Sequence, residues 1–161
     1  MRRTLLISIV DDDESMREAT KGLVRSLGYH AATFSSAEEF LNSDLVHRTS
    51  CLITDMQMPG LSGADLQHRL ISQGRCMPTI FVTAFPDEKI RNRVLTAGAI
   101  GYLSKPFTEE SLITCLDTAL SDAAYAQAVG HFTRLRKHPA FAPDVEPYLE
   151  KIERAIAEGD R

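Results

Sequence analysis

No apolar run in this 161-residue sequence approaches the ~20 residues a helix needs to cross a bilayer. The opening Met1-Arg2-Arg3 with the apolar Leu5 to Val10 imitates a secretory or twin-arginine leader, but the stretch gives way to Asp11 too soon for a leader core. A cytoplasmic location is the expectation. Cysteine is scarce: Cys51, Cys76 and Cys115 are odd in number, widely spaced and set in apolar surroundings, which suits reduced thiols better than disulfides. Excess positive charge is missing too. With 18 Lys and Arg against 22 Asp and Glu the net charge is −4, which offers no field for a phosphate backbone, so neither nucleic acid nor membrane is expected as a direct partner. The five histidines show no metal-ligand spacing and read as surface or loop residues. What is present, 43% apolar and 25% charged residues, suits one globular core with an appendage. A core of that size buries about two thirds of its unfolded surface and needs no cross-link.

Apolar, β-branched runs recur at Leu5 to Val10, Ala31 to Phe34, Cys51 to Thr54, Thr79 to Val82 and Gly101 to Leu103. Helical periodicity fills the intervals. Met16, Ala19, Leu23, Val24 and Leu27 form the first stripe, with Gly28 as its stop. Ser36-Ala37-Glu38-Glu39 reads as a capping box for the second helix, and Ser62-Gly63 opens a third that turns Leu66 and Leu70 inward and ends at Gly74. Asp87 starts the fourth, with Ile90 and Val94, near whose end stands Gly98; Thr108 caps the fifth, with Leu112, Leu116 and Leu120. Strands alternating with helices over short connections require parallel pairing and right-handed crossovers. The fold class is therefore α/β, a doubly wound parallel sheet of five strands.

Such sheets bind ligands beyond the carboxyl ends of their strands. The residues at those ends are Asp11 and Asp12, then Asp55, Thr83 and Lys105. Taken singly each has a plain explanation: aspartates at a helix start, a turn aspartate before Pro59-Gly60, an N-cap threonine and a surface lysine. Together they do not. Carboxylates brought side by side repel by roughly 4 kcal/mol per pair at an effective dielectric near 20, so they need a cation or raised pKa values. An oxygen-rich, thiol-free cluster suits Mg²⁺. A cation there, with Lys105, also lets a phosphoryl group approach a carboxylate that would otherwise repel it.

At these residues the chain resembles the two-component response-regulator receiver family, from about Leu5 to Leu120. The motifs are Val10-Asp11-Asp12-Asp13, Thr54-Asp55-Met56-Gln57-Met58-Pro59-Gly60 with Ser62-Gly63, Val82-Thr83-Ala84, and Tyr102-Leu103-Ser104-Lys105-Pro106-Phe107. Ser36 to Leu41 with Leu61-Ser62-Gly63 looks like the receivers of nitrogen-fixation-type regulators. The resemblance implies a flavodoxin-like receiver of strand order 2-1-3-4-5, with Asp55 the phosphoacceptor. It further implies Mg²⁺ held by Asp11, Asp12, Asp55 and the Gln57 backbone carbonyl, the nature of the Gln57 side chain mattering little. Thr83 would bond the phosphoryl oxygen, Lys105 would be its counter-ion, and Tyr102 would turn inward when Thr83 moves. Lys105–Pro106 matches the family's cis peptide. The implied partners are a sensor histidine kinase or histidine phosphotransfer protein, a downstream protein and a second copy of the chain. The protein would be a signalling phosphoacceptor catalysing only its own phosphorylation and dephosphorylation, not an enzyme for other substrates.

Residues 1–121 would form the receiver and 122–161 a helical C-terminal extension without a DNA-binding domain. Beyond Leu120 there are seven acidic and six basic residues and no helix-turn-helix pattern. Ala124, Ala128, Phe132 and Leu135 would continue the fifth helix's stripe, and Val145, Leu149, Ile152 and Ile156 would form another behind an Asp144 cap. Two alternatives stand beside this reading. Asp11-Asp12-Asp13-Glu14-Ser15 loosely fits the nucleophile loop of a haloacid-dehalogenase-like phosphohydrolase, with Asp11 attacking; or the chain is the receiver portion of a longer transcription regulator.

Overall fold

A computed structural model describes residues 5–75 and 77–121. Five parallel strands, β1 (Leu6–Val10), β2 (His30–Phe34), β3 (Cys51–Asp55), β4 (Thr79–Thr83) and β5 (Gly101–Ser104), form one sheet in the order β2-β1-β3-β4-β5. Between them lie α1 (Glu14–Ser26), α2 (Ala37–Leu41), α3 (Gly63–Ser72) and α4 (Glu88–Thr96), and α5 (Glu109–Ala119) follows. The expected doubly wound fold is present. A short 3-10 helix, Asp44–Arg48, follows α2 and was not anticipated: Asp44-Leu45-Val46-His47-Arg48 is too short to show a period.

Local chemistry sets the helix starts. The side chains of Asp13, Ser36, Ser62, Asp87 and Thr108 each accept a backbone N–H from the first turn that follows, satisfying donors the helix leaves unpaired. Ser62 and Asp65 close a full capping box. At α2 the box is only half formed, because Glu39 turns to the backbone N–H and hydroxyl of Ser35 and not to Ser36. After α1 the chain turns at Gly28, whose φ of +92° lies in the left-handed region open to glycine.

The central strands β3 and β4 are buried along their whole length, and their inward residues face two layers. On one side Ile7, Ile9, Ile53, Ile80 and Val82 meet Val24 of α1 with Leu112 and Leu116 of α5. On the other, Val10 and Leu52 meet Phe40, Leu66 and Leu70, while Phe81 packs with Met56 and Val94. Cys51 is fully buried and Cys115 half-buried, and burial pushes both thiols up in pKa, as suits inert reduced cysteines. Of the histidines, His30, His47 and His68 are exposed, His30 on a strand and His68 on a helix.

Two bonds fix α4. The buried Gln67 amide of α3 donates to the Val94 carbonyl at 3.1 Å, and the Tyr102 hydroxyl accepts the Asp87 N–H at 3.1 Å. At the end of the described residues α5 closes at Ala119 with Leu120 as its C-cap. The two stripes assigned to residues 122–161, and Cys76, lie outside the described residues. Among the described residues no helix is long and apolar enough to cross a membrane.

Candidate functional site

The strand order dictates where the site falls. From β1 the chain winds one way to β2, and from β3 the other way to β4 and β5, so the direction reverses between β1 and β3. Asp11 directly follows β1 and Asp55 is the last residue of β3, which sets both carboxylates at that reversal. Asp12 stands beside them. Carboxylate oxygens of Asp11, Asp12 and Asp55 lie within 4.8 Å of one another. From the far side, Lys105, which follows β5, reaches Asp11 Oδ2 at 3.1 Å and Asp55 Oδ1 at 3.4 Å. The Lys105–Pro106 peptide is cis.

Burial and repulsion have the expected electrostatic result. Asp55 is pushed up to about 6, first by burial and next by the Asp11 charge, against the opposing pull of Lys105. For Lys105 burial acts to lower the pKa, but the hydrogen bond and charge of Asp11, with Asp55 behind, outweigh it and hold the ammonium above its ordinary value. One lysine thus leaves the cluster short of positive charge. The donor set is hard oxygen, two of its carboxylates are buried and the exposed Asp12 leaves one side open, a combination that fits a divalent cation retaining water.

The backbone around Asp55 is held closely. The Met56 N–H donates to the Val82 carbonyl and the Gly63 N–H to the Met56 carbonyl, both at 2.9 Å. Any Cβ at Gly63 would stand 2.5 Å from the Asp55 carbonyl oxygen, so glycine is required there by proximity. Asp11 is equally constrained. Its Oδ1 accepts the Asp13 N–H at 2.9 Å, and its own carbonyl accepts the Arg17 guanidinium at 2.9 Å. Asp13 acts as the cap of α1 and is not part of the cluster.

Thr83, the last residue of β4, is fully buried, yet its hydroxyl does not reach the carboxylates. It donates to Gln57 Oε1 at 2.6 Å and accepts the Phe85 N–H at 3.0 Å. Tyr102 is half-buried on β5, its hydroxyl engaged with Asp87 as described. Sequence reading did not foresee three of these features: the Gln57 side-chain bond, the Arg17 contact and Phe85, a large apolar residue 72% exposed beside Thr83. For Arg17 one signal was available, since residue six after Asp11 lies within reach of a helix's opening turns; for the others there was none.

Residues 7–117 match the profile of the response regulator receiver domain. The chain belongs to that family. Receivers are parts of signalling proteins in two-component systems, in which histidine kinases are their partners and Mg²⁺ is generally used. The receiver is 43% identical over 115 residues to the response regulator protein TmoT of Ectopseudomonas mendocina, covering 71% of this chain and 52% of that protein. It is 40% identical over 118 residues to TodT of Pseudomonas putida, covering 73% and 52%, and 31% identical over 124 residues to the transcriptional regulatory protein FixJ of Azorhizobium caulinodans, covering 77% and 59%. This chain therefore spans little more than half the length of those relatives. Among solved structures, the response regulator StyR superposes with a TM-score of 0.71 at 36% identity, covering 84% of this chain and 69% of that one. FixJ-N superposes with a TM-score of 0.66 at 27% identity, covering 74% and 95%. Membership in the receiver family removes the dehalogenase-like alternative, and both Asp11 oxygens are in any case engaged, by the Asp13 N–H and by Lys105.

Proposed function

We propose that Asp55 is the phosphoacceptor of a phosphorelay: a carboxylate oxygen forms a bond to phosphorus as the bond from phosphorus to the donor nitrogen of a histidine kinase or phosphotransfer protein breaks. The observation carrying this reading is the meeting of Asp11, Asp12 and Asp55 within 4.8 Å, with Lys105 on two of them. Mg²⁺ would be held by Asp11, Asp12, Asp55 and the Gln57 backbone carbonyl, and when bound it neutralises the phosphoryl oxygens as they approach the carboxylates. Lys105 does the same from the opposite side. Its ammonium, 3.4 Å from Asp55 Oδ1 and 3.1 Å from Asp11 Oδ2, supports this role. Thr83 offers its hydroxyl to a phosphoryl oxygen, a charge-assisted bond stronger than one to a neutral acceptor. Once Thr83 has moved, Tyr102 turns into the space, and the surface of α4, β5 and α5 is altered for a downstream partner or a second copy. Such a protein catalyses only the making and breaking of its own acyl phosphate. Residues 1–121 would make up this unit.

The test is covalent labelling with a small phosphodonor and Mg²⁺, followed by peptide mapping. Wild type should carry an acid-stable but base-labile and hydroxylamine-labile acyl phosphate on the peptide containing Asp55, and Asp55→Asn should carry none. A label that survives in Asp55→Asn refutes the assignment. The coverage of only about half of TmoT and TodT favours a second reading, in which this segment is the receiver portion of a longer transcription regulator. The size of the native gene product on an immunoblot separates the two.

A further inference from the structure

We infer that the Gln57 side chain is a latch on Thr83, holding the hydroxyl away from the phosphoryl site until a phosphoryl group outbids it. The inference rests on the reading of Asp55 as phosphoacceptor and Thr83 as the group that answers it. A threonine hydroxyl has one proton to give. Here that proton goes to Gln57 Oε1 at 2.6 Å, and one of the oxygen's lone pairs takes the Phe85 N–H at 3.0 Å. Thr83 is fully buried, so no water competes for the proton. Donation to a phosphoryl oxygen therefore requires the bond to Gln57 to break.

The two partners differ in what release costs them. Gln57 is exposed, and its freed amide oxygen finds water at once. Buried Thr83 has no such substitute and leaves only for a better acceptor. An anionic phosphoryl oxygen is one, being a charge-assisted acceptor roughly twice as strong as a neutral carbonyl. Gln57 stands two residues beyond Asp55, on the loop whose Met56 backbone is fixed to β4 by the bond to Val82. The latch and the acceptor carboxylate are thus carried by one short, well-held segment. Gln57 is a positioning residue in this scheme; it touches neither the phosphoryl group nor the cation through its side chain, and it sets a threshold for the switch.

The experiment measures the affinity of the full chain for the phosphoryl mimic beryllofluoride in saturating Mg²⁺, read by hydrogen exchange or by tyrosine signals. Gln57→Met keeps the length of the side chain and removes the acceptor. It should bind the mimic about threefold to tenfold more tightly, the ratio expected when one net hydrogen bond no longer opposes binding. Thr83→Ala, which has no proton to latch, should bind more weakly, and adding Gln57→Met to it should change nothing further; Thr83→Ser should restore the gain. A general effect of position 57 on folding or on the metal would persist in the Thr83→Ala background. Equal affinities of wild type and Gln57→Met, or a gain that survives Thr83→Ala, overturn the latch while leaving the site standing. Failure of wild type to bind the mimic, or binding by Asp55→Asn, overturns the phosphoacceptor reading and the latch with it.

Discussion

Replacing Asp55 by asparagine should make the metal-free protein more stable at neutral pH. Asp55 is 5% exposed, and its pKa is raised from an ordinary 3.8 to about 6 by burial and by Asp11. A folded-state pKa above the unfolded one means that the folded protein holds the proton more tightly. The stability this gives is fully present below about pH 3.8 and is lost as pH rises through about 6. At 1.36 kcal/mol per pH decade the loss is about 3 kcal/mol. The strand ends open toward solvent, so screening brings this to about 1–2 kcal/mol. The attraction of Lys105 is already contained in the value of about 6, and after the substitution Lys105 keeps Asp11 at 3.1 Å, so its loss from Asp55 does not reverse the sign. Asp65 pulls the other way, because bonds to Ser62 lower its pKa and its contribution is lost as pH falls, but it acts equally in both proteins and cancels. The assay is urea denaturation in EDTA from pH 4.5 to 7.5, followed by far-UV circular dichroism because the chain has no tryptophan. Asp55→Asn should exceed wild type by about 1–2 kcal/mol at pH 7.5 and converge with it toward pH 4.5. An asparagine variant no more stable than wild type at pH 7.5, or a difference that does not vary with pH, would refute the electrostatic reasoning.

Mg²⁺ should stabilise wild type by about 2.7 kcal/mol at 100 times its dissociation constant, and less at pH 5 than at 7.5 because a proton then competes on Asp55; equal gains in wild type and Asp12→Ala would show the site misplaced. Gly63→Ala should cost about 1–3 kcal/mol in denaturation, since its Cβ would press on the Asp55 carbonyl at 2.5 Å, and a neutral result would mean that the loop yields freely. Thr83→Ala should still accept the phosphoryl label on Asp55 yet lose the change in hydrogen exchange along α4 and β5; exchange changes confined to the Asp55 loop in wild type would discard the Thr83–Tyr102 route.

The strand ends were legible because their chemistry has few local explanations that hold together. Asp11, Asp12, Asp55 and Lys105 are far apart in sequence, and only parallel pairing of β1, β3, β4 and β5 brings them to one end of the sheet. Helix starts were equally open to reading, as an N-cap depends on a residue and its neighbours within one turn. What escaped were contacts that depend on where a side chain turns. Glu39 had two serines in reach and took Ser35. Gln57 was expected to matter through its carbonyl alone, because nothing in the sequence says that its amide will lie against a threonine 26 positions later. The short 3-10 helix and the exposure of Phe85 belong to the same class, set by packing and not by pattern.

The two attachments of α4 are unequal, and this gives the helix the mechanics of a lever. Near its last turn, Val94 is packed in the core and its carbonyl takes both the Gln67 amide and the Ala99 N–H, so this end is a fulcrum tied to α3 and to the following loop. At its start Glu88 and Lys89 are exposed, and this end is held by the half-buried Ile90 and by the Tyr102 hydroxyl on the Asp87 cap. If Tyr102 leaves, the helix cannot slide along its axis without breaking the Gln67 bond, but its free end can swing. From Val94 back to the Asp87 cap the arm is about 10 Å long at 1.5 Å per residue, so a tilt of ten degrees displaces the tip by about 2 Å. Amides of the first turn should then exchange faster while those near Val94 do not, and uniform exchange along the helix would show that there is no pivot.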